Sequence, residues 1–132
     1  MLRRLVIIIN VILIFSCRAN AQYGARDYAL VGGKESGDII LGLFKAQQGV
    51  GGYHYINGNH WEHSRIDSFC IAIFRDSSLL FSHHNQGNIF DSVLTMKFKD
   101  LKVGDRVLIY DIRATWPEIS RLFLSPLEYI MR

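Results

Sequence analysis

The stretch SRIDSFCIAIFR, residues 64–75, is the most strand-like segment of the chain, because its side chains alternate between two apolar faces. One face carries Phe69, Ile71 and Ile73, and the other carries the apolar residues at 70, 72 and 74. A strand that is apolar on both faces needs cover on both faces. We therefore place this segment at the centre of a sheet.

Shorter apolar segments separated by turn residues flank this strand, which is typical of mainly β proteins. Residues 39–47 are compatible with a short helix, and a second helix is predicted from the N-cap Asp91 to Leu101. Pro126 is expected either to place the last extended segment at a sheet edge or to break it. Frequent turns between short strands favour a β-sandwich with one or two short helices. Further strands are expected at residues 28–31, 50–56, 79–83, 105–114 and 120–131, and turns at 57–59 and 116–118.

The first 21 residues have the three-part pattern of a secretory signal peptide. Arg3 and Arg4 precede an apolar run of 11 residues, and small residues then favour cleavage between Ala21 and Gln22. As a helix, this run covers about half of a bilayer core, so it is too short for a membrane anchor. The alternative is lipoprotein processing at Cys17, which gives an outer-membrane lipoprotein instead of a soluble periplasmic or secreted protein.

The basic character of the chain belongs to this leader. Residues 1–21 hold three of the 15 Lys and Arg residues and no acid, so residues 22–132 hold 12 basic and 12 acidic residues. A chain without net charge has no general attraction for nucleic acid or anionic lipid. After cleavage Cys70 is the single cysteine, which excludes an internal disulfide, and we expect a buried, inert thiol there.

The sequence His-Trp-Glu-His at residues 60–63 is the closest approach to a metal motif. On a helix, His60 and His63 could share an ion, with Glu62 as base or ligand, as in a small metal-dependent hydrolase. The segment follows Asn-Gly-Asn and carries no helix signal, so we predict no metal site and keep the hydrolase as an alternative. The sequence has no phosphate loop, nucleophile elbow or recognisable triad, and we predict no catalytic residue and no cofactor.

Four aromatic residues, Tyr53, Tyr55, Trp61 and Trp116, lie in or beside expected turns, where amphipathic rings often take part in recognition. We name them as candidate interaction residues. Trp116 is the best candidate, because its turn should hold it near the surface. The other three suggest an alternative, a β-sandwich that binds a sugar or a peptide. The competing interpretation is that each ring covers an end of a small core.

Several short runs, in their order and spacing, resemble a known family. They are VGGKESGDI at 31–39, AQQGV at 46–50, VGDRV at 103–107 and YDIRA at 110–114. With Ser125 and Pro126 near the end, they are similar to the C-terminal β domain of the GldM/PorM proteins. Those proteins are periplasmic components of the gliding-motility and type IX secretion machinery of Bacteroidota. The resemblance spans residues 30–132 and leaves residues 22–29 as an N-terminal arm.

The resemblance implies an immunoglobulin-like antiparallel β-sandwich that acts through protein–protein contacts. Two segments depart from the family pattern: residues 116–119 replace a glycine-rich turn, and residues 57–65 lack an acidic and aromatic pattern. Larger family members carry a transmembrane helix and further domains, so we expect a stand-alone secreted protein without a membrane span after cleavage. Its expected role is non-enzymatic binding of an envelope protein or of a second copy, without nucleic acid, through exposed strand edges.

Overall fold

Two long strands form the centre of the molecule in the computed structural model, which describes residues 27–56, 60–116 and 119–132. These ranges hold eight strands and two short helices. The strands are β1 (Asp27–Leu30), β2 (Gly37–Ile39), β3 (Gly51–Ile56), β4 (His60–Arg75), β5 (Ser78–Gln86), β6 (Arg106–Trp116), β7 (Ile119–Leu124) and β8 (Leu127–Met131), and the helices are α1 (Leu41–Lys45) and α2 (Ser92–Phe98). The mainly β class that the sequence predicts is confirmed.

The long strands β4 and β6 pair with each other, and each changes its second partner halfway along. The first half of β4 pairs with β3 and its second half with β5, whereas β6 pairs first with β8 and then with β7. β1 extends the sheet beyond β3, and β2 extends it beyond β8. The result is one curled sheet in the order β1-β3-β4-β6-β8-β2, with β5 beside β4 and β7 beside β6.

Two bulges in the middle of the β4–β6 pair allow the strands to bend. The Cα partners of Ile66 and Ser68 are adjacent residues of β6, so Asp67 is an extra residue on β4. Further along, β6 carries the extra residue, at Asp111, whose φ of 49° is left-handed. Bulges increase local twist and bend a strand. Because the two extra residues compensate each other, the sheet curls and the same register returns at its other end.

One pair of strands is parallel, which corrects the expectation of a purely antiparallel sheet. β2 runs in the same direction as β8. Parallel neighbours need a long crossover connection, and here the whole chain between β2 and β8 supplies it. The sequence gives no sign of β2, because its three residues are too few to show alternation. The separation of the strands into two facing sheets stays a prediction.

The core lies inside the curl, against the two helices. Phe44 of α1 and Phe98 of α2 pack their rings against each other and against Phe90, which precedes α2, with centroids 4.9–6.4 Å apart. Asp91 caps α2 as predicted, because its Oδ1 accepts the N–H of Leu94 at 2.9 Å, although the helix ends at Phe98. Of the two outcomes expected at Pro126, the structure shows the break, since this residue lies between β7 and β8.

The loop that follows β5 is fixed against the chain that enters β3. The N–H of Val50 donates to the carbonyl oxygen of Asn88, and the N–H of Phe90 donates to that of Gln48, both at 2.9 Å. Gly49 lies between them, and a Cβ at this position would overlap the Asn88 carbonyl oxygen. Only glycine permits so close an approach of two backbones. The end of β5 is therefore held in one place.

Some predictions concern residues outside the described ranges. They include the leader with Cys17 and its cleavage site at Ala21 and Gln22, the turn at residues 57–59, and Pro117 and Glu118 of the second turn. These stay predictions. Within the described ranges, neither helix has the length and apolar character that crossing a membrane requires.

Candidate interaction surface

β5 is a nine-residue strand that pairs on one side. Among the described residues its single strand partner is β4, and we call the opposite side of Ser78–Gln86 the open edge. In an antiparallel ladder, residues bonded to the partner strand alternate with residues whose N–H and C=O point away. The N–H of Gly87 donates to the carbonyl oxygen of Asp67 in the β4–β5 register. Since the residues bonded to β4 recur at every second position before Gly87, the N–H and C=O groups of Ser82 and His84 face the open edge.

The open edge has one irregularity, a bulge that makes Leu80 an extra residue near its start, but it lacks the charged residues and Pro that usually protect a strand edge. Its sequence SLLFSHHNQ contains no Lys, no Arg, no acidic residue and no Pro. Natural edges are commonly blocked by such charged residues or by Pro. Leu79 and Leu80 at its start are 39% and 43% exposed. An uncharged edge with exposed apolar side chains is a surface to which an extended segment can add as a further strand.

Asn85 fixes the end of the open edge from the inside. Its side chain is fully buried, and its amide nitrogen donates to the carbonyl oxygens of Gln86, Gly87 and Ile89 at 2.9–3.3 Å. Its Oδ1 accepts the N–H of Asp91 at 2.9 Å. Four hydrogen bonds to one buried side chain shape the loop from β5 to α2. They set the point at which β5 leaves the sheet.

His83 links β5 to helix α2. Its Nε2 lies 2.6 Å from Oδ2 of Asp91, whose other oxygen caps the helix at Leu94. Burial acts to raise the pKa of Asp91, but the hydrogen bonds from His83 and from the N–H of Leu94 outweigh it and hold this pKa below its usual value. The carboxylate is thus an acceptor, and Nε2 donates to it. The imidazole stacks on Phe81 with centroids 5.9 Å apart.

His84 lies on the face of β5 opposite to His83, as strand alternation predicts. Its Nδ1 is 3.4 Å from Sγ of Cys70, and its Nε2 is 3.2 Å from Oε1 of Gln86. Cys70 is half-buried, which corrects the expected full burial, because the outer face of β4 is only partly covered. Burial raises the pKa of the Cys70 thiol, and nearby Asp111 raises it further. An activated nucleophile needs a lowered pKa instead.

Aromatic residues line up across β1, β3 and β4. Tyr28, Tyr53 and His63 occupy one row of the sheet. Tyr53 stacks on Tyr28 with centroids 5.5 Å apart and contacts His63 at 4.8 Å. Two residues further along, Tyr55 and Trp61 are direct Cα partners. The sheet therefore brings three of the four predicted interaction residues into neighbouring rows. The side chains of Tyr55 and Trp61 lie outside the described set, so their role stays a prediction.

Trp116 lies in a different environment from the one predicted. It is 7% exposed and therefore not a surface residue. The prediction relied on the turn that follows, but β6 continues through Trp116, which pairs with Ile119 of β7. Along the strand it alternates with the buried Ile112 and Ala114, so its ring belongs to the covered side. The prediction that its turn holds Trp116 near the surface is therefore wrong.

Residues 60–63 form the start of β4 and are not helical. The metal hypothesis needs the helical spacing that brings His60 and His63 together, and a strand does not provide it, because positions three apart belong to opposite faces. No cluster of three or more His, Cys, Asp or Glu residues suited to a metal ion occurs in the described ranges. The start of β4 therefore differs from the helical spacing on which the hydrolase alternative relies.

Two features of this surface depend on the tertiary structure, and the sequence carries a signal for one of them. Asn85 belongs to a polar run that reads as an ordinary turn. Its burial follows from the way the chain folds back around it. Lys97, Lys99 and Lys102 fall within six residues, and this local excess of charge is a signal that the sequence does contain. Their position beside β5 is a feature of the tertiary structure.

Comparisons with known proteins assign no family to this surface. No family model matches the chain, and no curated protein sequence matches it either. The resemblance to the GldM/PorM domain therefore stays a prediction, and a function must be argued from the geometry of the described residues.

Proposed function

We propose that the chain is a non-enzymatic interaction module of the periplasm or the cell exterior, which binds an extended segment of a partner protein along β5. The observation that carries this proposal is the open edge. It belongs to a nine-residue strand without Lys, Arg, Asp, Glu or Pro and without a second strand partner in the described ranges. The outward N–H and C=O groups of Ser82 and His84 offer hydrogen bonds to any extended backbone. The side chains beside them supply selectivity.

The resemblance to the C-terminal domain of GldM supports the same proposal, since that family acts through protein contacts. We propose that residues 30–132 adopt the immunoglobulin-like sandwich that the resemblance implies. What supports two packed layers is that β4 and β6 carry bulges and change their second partner, because strands that switch between sheets do so at bulges or bends. Delivery by the signal peptide, or anchoring through Cys17 as the alternative, would bring the module to the cell envelope.

The variant that tests this function is Ser82→Pro. Pro has no N–H, and edge strands tolerate it where that N–H faces solvent, so the fold should be retained. Ser82→Thr keeps the N–H and is the matched control. We expect wild type and Ser82→Thr, immobilised as full chains, to capture the same envelope proteins. Ser82→Pro should capture about tenfold less of them, because a central hydrogen bond is lost and the ring obstructs pairing.

Quantitative mass spectrometry of the captured proteins is the readout, and circular dichroism confirms that the three chains are equally folded. If the partner is a second copy, light scattering should give a dimer for wild type and a monomer for Ser82→Pro. Equal capture by all three chains would place the interaction away from β5 and overturn the proposal. Capture of nothing above bare resin, together with a monomeric wild type, would also overturn it.

A further inference from the structure

A groove of about 520 Å³ adjoins the start of the open edge, and we call it the basic groove. It lies between the end of β4, the start of β5 and the segment that joins α2 to β6. Its lining includes Arg75, Leu80, Lys97, Lys99, Lys102 and Asp105. Leu80 belongs both to this lining and to the open edge. A segment that pairs with β5 as far as Leu80 therefore passes the mouth of the groove.

The charge of the groove is set by its lysines. Arg75 does not contribute a free charge, because its Nε and one terminal nitrogen each donate to Asp105 at 2.8 Å. Lys97, Lys99 and Lys102 remain, and within the described ranges no ion pair joins any of them to a carboxylate. Asp100 is the one other acid in the lining. The groove therefore carries more positive than negative charge.

The excess of positive charge is confined to the groove. Residues 22–132 hold equal numbers of basic and acidic residues, so the groove does not simply reflect a basic chain. β5 itself contains no Lys, Arg, Asp or Glu. The Nζ of Lys97 lies 5.3 Å above the ring of Phe81, so this lysine extends along the side of β5. Positive charge is therefore concentrated where the side chains of an added strand would emerge.

We propose that the segment bound along β5 is acidic, with Asp or Glu side chains that enter the basic groove. This inference rests on the proposed function and specifies the partner. In an added strand every second side chain points to the same face, so alternate acidic residues could reach the lysines. A second copy of β5 offers no charge to the groove, and charge complementarity therefore favours a different, acidic partner over self-pairing.

The test uses two synthetic peptides long enough to match β5, one of alternating Thr and Glu and one of alternating Thr and Gln. Affinities are measured by fluorescence anisotropy with the full chain at low and at high salt. Wild type should bind the Thr-Glu peptide about tenfold more tightly at low salt, and high salt should reduce the difference. The triple variant Lys97→Gln, Lys99→Gln, Lys102→Gln should bind both peptides equally.

A triple variant of equal charge change, Lys34→Gln, Arg65→Gln, Arg113→Gln, is the matched control and should keep the preference for Thr-Glu. Equal binding of both peptides by wild type would overturn the acidic preference and leave the proposed function intact. Binding of either peptide to Ser82→Pro as tightly as to wild type would overturn pairing along β5. Tighter binding of anionic lipid vesicles than of the Thr-Glu peptide would assign the groove to a membrane surface and overturn the inference.

Discussion

Replacing Asn85 with Ala is expected to lower the free energy of unfolding by about 4 kcal/mol. The substitution removes the partner of the Asp91 N–H and of the carbonyl oxygens of Gln86, Gly87 and Ile89. A buried polar group without a hydrogen bond costs about 1–3 kcal/mol of stability. Relaxation of the loop or entry of water reduces the total loss.

Urea unfolding followed by circular dichroism measures this change, with an unchanged m value showing that the transition stays two-state. The matched control is Asn88→Ala, which removes an exposed amide from the same loop and should change stability by less than about 0.5 kcal/mol. A loss below about 1 kcal/mol for Asn85→Ala would contradict the role given to this side chain.

Asp105→Ala is the second substitution with a large expected effect, a loss of about 3 kcal/mol. The Asp105 side chain is 1% exposed, accepts two hydrogen bonds from Arg75 and a third from the N–H of Lys102, all at 2.8 Å. These bonds attach the segment after α2 to the end of β4. Charge-assisted hydrogen bonds to a buried carboxylate are stronger than neutral ones, so their joint loss is costly.

The same carboxylate makes stability depend on pH. Hydrogen bonds from the Arg75 guanidinium hold the pKa of Asp105 below its usual range, against the opposite effect of burial. A lowered folded pKa stabilises the fold fully above the unfolded value of about 4, and this contribution disappears as the pH falls through the folded pKa. Wild type should therefore lose stability below about pH 4. Asp105→Ala should lose less over that range, with Asp91 supplying the remainder.

Urea unfolding of both chains between neutral and acidic pH tests this difference. Asp100→Ala, which removes an exposed carboxylate from the same segment, is the control and should follow the wild-type curve. Parallel curves for wild type and Asp105→Ala would contradict the assigned linkage.

Features of the fold that depend on neighbouring residues could be predicted from the sequence. The alternation of residues 64–75 predicts the central strand, the N-cap at Asp91 predicts the start of α2, and Pro126 predicts the break before β8. Each signal is local, because side-chain alternation, capping and the missing N–H of Pro act within a few residues. The parallel pairing of β2 is not local, since it depends on a strand at the far end of the chain.

The candidate surface could be predicted only in part, for the same physical reason. A β-rich sequence predicts that the fold has strand edges and that these can act as docking surfaces. The strand order decides which strand lies at an edge. The burial of Trp116 and the partial exposure of Cys70 likewise depend on what lies across the sheet. The lysines beside β5 are apparent in the sequence as charge, whereas their approach to Phe81 is a tertiary contact.

Amide hydrogen exchange of the isolated protein, followed residue by residue by NMR at a monomeric concentration, shows whether the edge of β5 is open. The amides of Phe81 and His83 face β4 and should exchange slowly, whereas those of Ser82 and His84 should exchange as fast as exposed loop amides. Slow exchange at all four positions would mean that the edge is already covered, and would contradict the account.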